Sequence, residues 1–299
     1  MLIVLGIDGL GSDLLQSELP RLPHLADLMG RSAYTMQSRA EFYTNSATNW
    51  GTHFYGHGPA YTGWYRNTLN SVCSGTVSVF DAVPNSVGYT GWAGLSRQIP
   101  HIENVGSVQE HTKAAIEARA HDLVVGIFDE VDNAGHMGVS TARALQRVDT
   151  HVGDILSSVQ VDDHVMVISD HGLRSCRWYD FACVPHYGGR ASELETPMLI
   201  SGPQVTATGP LHRRVTHQDT SYYILRILNR SVPCDWKMGE LTSCNSTWPG
   251  PSRGIQVVEE SLRNGISNAI WVFIAVAFVS VLWCCCRSRR GNGIYFRLV

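Results

Sequence analysis

Two short stretches of this chain set a carboxylate and an imidazole side by side. Asp132-Asn133-Ala134-Gly135-His136 places an acid and a histidine on what reads as one tight loop after an apolar run. Asp170-His171-Gly172 repeats the pairing, and Pro185-His186-Tyr187-Gly188-Gly189 adds an imidazole beside glycines that let the backbone fold close around a ligand. Asp8 follows the opening run Leu2 to Ile7. Each alone is an ordinary turn or surface histidine. Together they supply oxygen and nitrogen donors for two divalent ions, zinc in particular. Two such ions ~3.5–4 Å apart would clamp the attacking and leaving oxygens of an in-line phosphoryl displacement.

That chemistry needs an oxygen nucleophile. The segment Phe42-Tyr43-Thr44-Asn45-Ser46-Ala47-Thr48-Asn49-Trp50-Gly51 offers several hydroxyls just before a candidate helix start. A metal there would lower a hydroxyl pKa, and a helix N-terminus would favour phosphate charge. Without the metal set, the same hydroxyls would read as plain caps in a turn.

Apolar runs at Leu2–Ile7, Leu123–Phe128, His164–Ser169 and Pro197–Ile200 read as buried strands, the first three leading into Asp8, Asp132 and Asp170. Helical periods are expected at 23–29, 113–120 and 140–159. This alternation predicts an α/β fold, with a mainly parallel central sheet carrying helices on both faces. In such sheets the functional crevice lies at the carboxyl ends of the strands, so the three acids should meet there.

The chain has 299 residues, 23 Lys and Arg against 26 Asp and Glu, and 13 His. A formal charge of -3 supplies no polycationic field, so nucleic-acid binding is not expected. Residues 266–286 form a charge-free apolar run followed by Arg287, Arg289 and Arg290, which predicts one transmembrane helix and a short cytosolic tail over 287–299. A catalytic domain over 1–232 and a stalk or linker over 233–265 would then be lumenal or extracellular, and the sequons at Asn229 and Asn245 agree. The opening MLIVLGIDGLG lacks the features of a signal peptide, which leaves a start further upstream or a tail-anchored cytosolic protein as the two ways to reconcile the topology. Cys284 to Cys286 sit where S-acylation occurs, and Cys234 with Cys244 or Cys176 with Cys183 are spaced to pair in an oxidising compartment.

The combined motifs resemble the alkaline phosphatase superfamily, and most closely its type I phosphodiesterase/nucleotide pyrophosphatase branch, over roughly residues 1 to 232. Ile7-Asp8-Gly9 looks like the family's first metal-binding segment, and Ser46-Ala47-Thr48-Asn49-Trp50 with Gly56-His57-Gly58-Pro59 looks like its nucleophile segment. Asp132 and His136 match its Asp-x-x-Gly-His, Asp170 and His171 its Asp-His-Gly, and His186 its last histidine. The resemblance implies Ser46 as nucleophile, Asn49 as donor to a phosphate oxygen, and a division of ligands. Asp8, Ser46, Asp170 and His171 would hold one ion, and Asp132, His136 and His186 the other. It implies a two-metal hydrolase that cleaves phosphodiester or phosphoanhydride bonds through a Ser/Thr phospho-enzyme, acting on a nucleotide or lipid head group.

Thr48 stands where the family has proline, so Thr44 and Thr48 remain alternative nucleophiles. No Cys/Ser-x-Pro-x-Arg segment supports a sulfatase. A phosphomonoesterase, a phosphoethanolamine transferase and a non-catalytic receptor module are the other readings; the single span argues against the transferase and the filled ligand positions against the receptor. His217-Gln218-Asp219-Thr220 resembles the end of such domains and receives no chemical role.

Overall fold

The computed structural model describes residues 1–67, 77–174, 185–211 and 214–233, all within the unit Met1–Pro251. The expected stalk beyond 233, the span 266–286, the tail 287–299, Asn245 and every cysteine lie outside them. Among the described residues no helix is long and apolar enough to cross a membrane.

Among the described residues nine strands form one sheet: β1 Leu2–Ile7, β2 Ala33–Arg39, β3 Ser86–Thr90, β4 Ile102–Asn104, β5 Leu123–Phe128, β6 His164–Ile168, β7 Glu195–Ser201, β8 Gly209–Pro210 and β9 Val215–Thr216. Their order is β4-β3-β5-β1-β6-β7-β2-β8, with β9 also against β2. Only β7 pairs antiparallel, with β6 and β2, so the sheet is mainly parallel as its apolar runs suggested.

β1 lies inside the sheet and is buried along its whole length, which is why it reads as a continuous apolar run rather than an alternating one. Leu2 and Val4 pack with Trp50 and Phe54 of the helix Ser46–Tyr55 and with Ile224 and Leu225 of the helix His217–Ile227. Ile3, Leu5 and Ile7 face the opposite side, against Leu25 of Pro23–Gly30, Ile116 of Val108–Ala118 and Val148 of Thr141–Leu156. Helices thus cover both faces. The carboxylate of Asp149, itself buried, accepts from the backbone N–H of Leu25 at 2.8 Å and of His24 at 3.3 Å and so caps one of these helices from another.

Two register facts set up the site. Ile7 pairs with Phe128 and Gly6 with Ile168, so β1, β5 and β6 finish at one edge and release Asp8, Asp129 and Asp170 side by side. The stretch after β5 corrects the sequence reading: it is a helix, Glu130–His136, not a tight loop. Asn133 and Gly135 are weak helix formers, but Val131 and Ala134 are buried on the core side and hold the turns. The same helical geometry puts Asp132 and His136 at i and i+4 on one face.

Candidate metal centre

The close approach of the three strand ends depends on Gly9. It sits at φ +79°, and a Cβ there would lie 3.0 Å from Asp132 Cα. Freed of that atom, the β1 loop runs against the Asp132 helix, with the Asp132 N–H donating to Asp8 O at 3.2 Å. The Gly9 N–H donates to Asp170 Oδ1 at 3.1 Å. The Ser169 hydroxyl accepts from the Leu10 N–H at 3.0 Å and donates to His171 O at 3.0 Å, tying the second acidic loop to the first.

Asp8, Asp170 and His171 bring ligand atoms within 4.8 Å of one another, and so do Asp132, His171 and His186. His171 Nε2 stands 3.2 Å from Asp170 Oδ2 and 3.7 Å from Asp8 Oδ1. His136 Nε2 is 3.3 Å from Asp132 Oδ2 and 2.9 Å from His186 Nε2. The structure therefore brings together all the acids and imidazoles singled out in the sequence, and adds that His171 reaches both sets.

Each of the three carboxylates has one oxygen on the chain and one without a hydrogen bond. Trp50 Nε1 donates to Asp8 Oδ2 at 3.0 Å, while Asp8 Oδ1, Asp132 Oδ1 and Asp170 Oδ2 are buried without a hydrogen bond and face only the imidazoles around them. Burial, followed by repulsion from the neighbouring carboxylates, raises Asp8 well above the usual carboxylate range. Burial, with the charge of Asp132 adding to it and His171 opposing it, pushes Asp170 up to about 6. Burial lowers His186 to about 3, and the charge on His171 contributes. Carboxylate oxygens without hydrogen bonds, converging with imidazole nitrogens, form a poor arrangement for a bare interior and a fitting one for divalent cations. The donor set passes the test for the implied metal pair.

Ser46 is the first residue of the helix Ser46–Tyr55, capped by Asn45, whose side chain accepts from the Thr48 N–H. Its Oγ lies 3.3 Å from His171 Nε2. The other two hydroxyls are committed elsewhere. Thr44 Oγ1 donates to Glu193 Oε2 at 3.1 Å, and Thr48 Oγ1 contacts Asn45 Oδ1 at 2.8 Å and Trp64 O at 2.7 Å. Asn49, expected to donate to phosphate, is fully buried with its amide on Tyr43 O at 2.9 Å and Asn45 O at 3.1 Å. Its carbonyl accepts from the Glu41 N–H at 2.8 Å and lies 3.1 Å from His217 Nδ1. Asn49 braces the loop. Asn229 is exposed at the end of the last described helix, with φ 51°.

Sequence reasoning missed several neighbours of the centre. Trp50 was read only as part of the nucleophile motif, and its indole lies over Gly6, where a Cβ would meet it at 2.5 Å. Asn67 Oδ1 accepts from the Ala47 N–H at 2.9 Å and its Nδ2 donates to the Tyr187 hydroxyl at 3.1 Å. His217 is buried and stacks on His53 with centroids 4.0 Å apart. No signal within one sequence marks these contacts, since each joins residues distant in the chain. Just beyond the nucleophile segment, Trp64 is buried core, whereas Tyr61 and Tyr65 are exposed.

Two family models match parts of the chain. The type I phosphodiesterase/nucleotide pyrophosphatase family model matches residues 2–85, and the metalloenzyme superfamily model matches residues 80–180. Over these residues the chain is similar to the alkaline phosphatase superfamily, and within it to the type I phosphodiesterase/nucleotide pyrophosphatase branch. Similar structures include murine ectonucleotide pyrophosphatase/phosphodiesterase 5, with TM-score 0.61 and 14% identity over 78% of this chain and 96% of that one. An inactive form of that protein in complex with AMP aligns at TM-score 0.62, with 14% identity and the same coverage. A 2-O glycosaminoglycan sulfatase aligns at TM-score 0.61 and 11% identity over 79% of this chain and 72% of that one. At these identities the likeness shows the shared fold. No curated protein sequence matches the chain.

Proposed function

We propose that this protein is a metal-dependent hydrolase of phosphodiester or phosphoanhydride bonds, in which Ser46 attacks phosphorus and carries the phosphoryl group as a serine ester. One observation carries the reading: the Ser46 hydroxyl stands 3.3 Å from His171 at a helix start, where three carboxylates converge with one oxygen each lacking a hydrogen bond. Asp8, Asp170 and His171, with Ser46, would hold one divalent ion, and Asp132, His136 and His186 the other; zinc suits this mixture of oxygen and nitrogen donors. When bound, the ions supply positive charge that lowers the pKa of the serine hydroxyl and neutralises the phosphoryl oxygens.

The chain's own groups orient the reaction. Ser46 Oγ bonds to phosphorus as the in-line bond to the leaving oxygen breaks with its electron pair, and the serine proton passes through solvent to that departing oxygen. A water then displaces Ser46 from phosphorus, regenerating the hydroxyl. The N-terminus of the Ser46–Tyr55 helix favours the negative phosphoryl group in both steps. Asn67, exposed beside Ala47, is better placed than Asn49 to donate to a phosphoryl oxygen. The family-model match over residues 2–85 and the AMP complex of the structurally similar murine protein support a nucleotide-type substrate.

We also propose that a single span over 266–286 anchors the protein with this domain lumenal or extracellular; support comes from the sequence alone, through Arg287, Arg289, Arg290 and the sequons. A glycosidase-sensitive mass at Asn229 and Asn245 would support that side, and unmodified sequons in membrane-inserted protein would oppose it.

The 299-residue protein should hydrolyse an aryl phosphodiester, lose the activity in chelator and recover it with zinc. Ser46→Ala should abolish turnover while leaving zinc uptake measurable. An unchanged rate in that variant would remove Ser46 from the reaction.

A further inference from the structure

Glu193 lies in the short helix Ala191–Leu194, fully buried, and nothing above gives it a role. Its Oε2 accepts from Thr44 Oγ1 at 3.1 Å and from the Gly188 N–H, while Oε1 is buried without a hydrogen bond. Thr44 in turn holds the two preceding residues of the same loop. Its Oγ1 accepts from the Tyr187 N–H at 2.9 Å, and its main-chain oxygen accepts from His186 Nδ1 at 2.6 Å. Three consecutive residues, His186, Tyr187 and Gly188, thus hang on one hydroxyl, one carbonyl and one carboxylate.

The loop would not keep this shape unaided. Tyr187 has φ 81°, in the left-handed region that a side chain with a Cβ disfavours. Gly188 lies so close that a Cβ there would stand 2.7 Å from Glu193 Oε1. A buried carboxylate is a costly way to brace a loop compared with an apolar side chain, so its presence calls for a function that apolar packing could not serve. That function is orientation. With Nδ1–H donated to a carbonyl, the ring of His186 must present Nε2 to Asp132, whose Oδ1 is 3.6 Å away.

We infer that Glu193 and Thr44 form a clasp that positions His186, setting the loop and the ring nitrogen it offers to the ion held by Asp132. Both are positioning residues, and the inference rests on the two-ion reading of the centre. Groups of this kind change metal affinity or activity by roughly 10- to 100-fold when removed.

The test is a titration of the chelator-stripped 299-residue protein with cobalt(II), followed by visible absorption, alongside melting of the metal-free protein. Thr44→Val, which keeps the shape and removes the hydroxyl, and Glu193→Ala should each weaken one of two binding steps by about 10- to 100-fold and alter the spectrum of that step. The other step should be unaffected. Thr44→Ser and Glu193→Gln retain a hydroxyl and an acceptor and should remain close to the unsubstituted protein. A Thr44→Val protein with both steps unchanged would overturn the clasp, as would equal weakening of both steps in parallel with a lower melting temperature. Unsubstituted protein that takes up fewer than two ions would remove the two-ion reading and the clasp with it.

Discussion

Replacing Trp50 with phenylalanine isolates the donor that fixes Asp8. The indole N–H sits 3.0 Å from Asp8 Oδ2, inside a site where Asp8 is 4% exposed, so no water can readily take its place. A hydrogen bond to a buried charged group contributes about 1.5–3 kcal/mol, and one to a neutral group about 0.5–1.5 kcal/mol. Metal binding requires the ionised carboxylate, whereas the metal-free state of Asp8 is biased towards the protonated form by burial and by Asp170. The variant therefore loses the difference, about 1–1.5 kcal/mol, which is roughly 5- to 13-fold in affinity for an ion on Asp8. The missing ring also costs stability, because the indole fills the space over Gly6, but that cost falls on metal-free and metal-bound protein alike. Calorimetric titration of stripped protein with zinc against a competing chelator separates the two effects. Unchanged affinity for both ions in Trp50→Phe, despite a lowered melting temperature, would refute the argument and reduce Trp50 to core packing.

Two further outcomes follow from the same geometry. Asn67→Ala should slow phosphodiester hydrolysis by tenfold or more, at about 1.4 kcal/mol per tenfold, with little change in melting temperature; Asn49→Ala, which removes a fully hydrogen-bonded buried amide, should instead lower melting by a cost of about 1–3 kcal/mol. His53 is fully buried and burial holds its pKa at about 3, so below pH 6.5 the unfolded chain binds a proton that the folded one refuses. Its folded pKa is depressed, so stability is lost as pH falls, by about 2 kcal/mol between pH 6.5 and pH 5 at 1.36 kcal/mol per unit. His53→Gln should flatten that part of the denaturant-measured profile, and an equally steep profile in the variant would show that His53 is not its source.

Much of this centre was legible before any coordinates. Asp8 and Asp170 each follow an apolar run that could only be a strand buried on both faces, and strand ends of a parallel sheet share an edge. Asp132 was placed in the right neighbourhood but on the wrong element, because Asn133 and Gly135 looked like loop residues while the burial of Val131 and Ala134 is a tertiary fact. β2 and β3 escaped notice for a different reason. Their sequences, AYTMQSR and SVGYT, alternate between buried and partly exposed positions and so lack the continuous apolar run that marks β1, β5 and β6. Trp50, Glu193 and Asn67 were illegible as neighbours of the centre, since their partners lie 42, 149 and 120 residues away and no periodicity records such contacts. The nucleophile segment was legible as a set of hydroxyls; only the contacts of Thr44 and Thr48 distinguish them from Ser46.

The proposed function places one pair of divalent ions among Asp8, Asp132, His136, Asp170, His171 and His186 beside the Ser46 hydroxyl. Anomalous diffraction at the zinc edge from zinc-loaded crystals tests it most directly. Two peaks are expected, one bounded by Asp8, Asp170 and His171 and the other by Asp132, His136 and His186. Peaks elsewhere, or none within reach of these side chains at saturating zinc, would contradict the account.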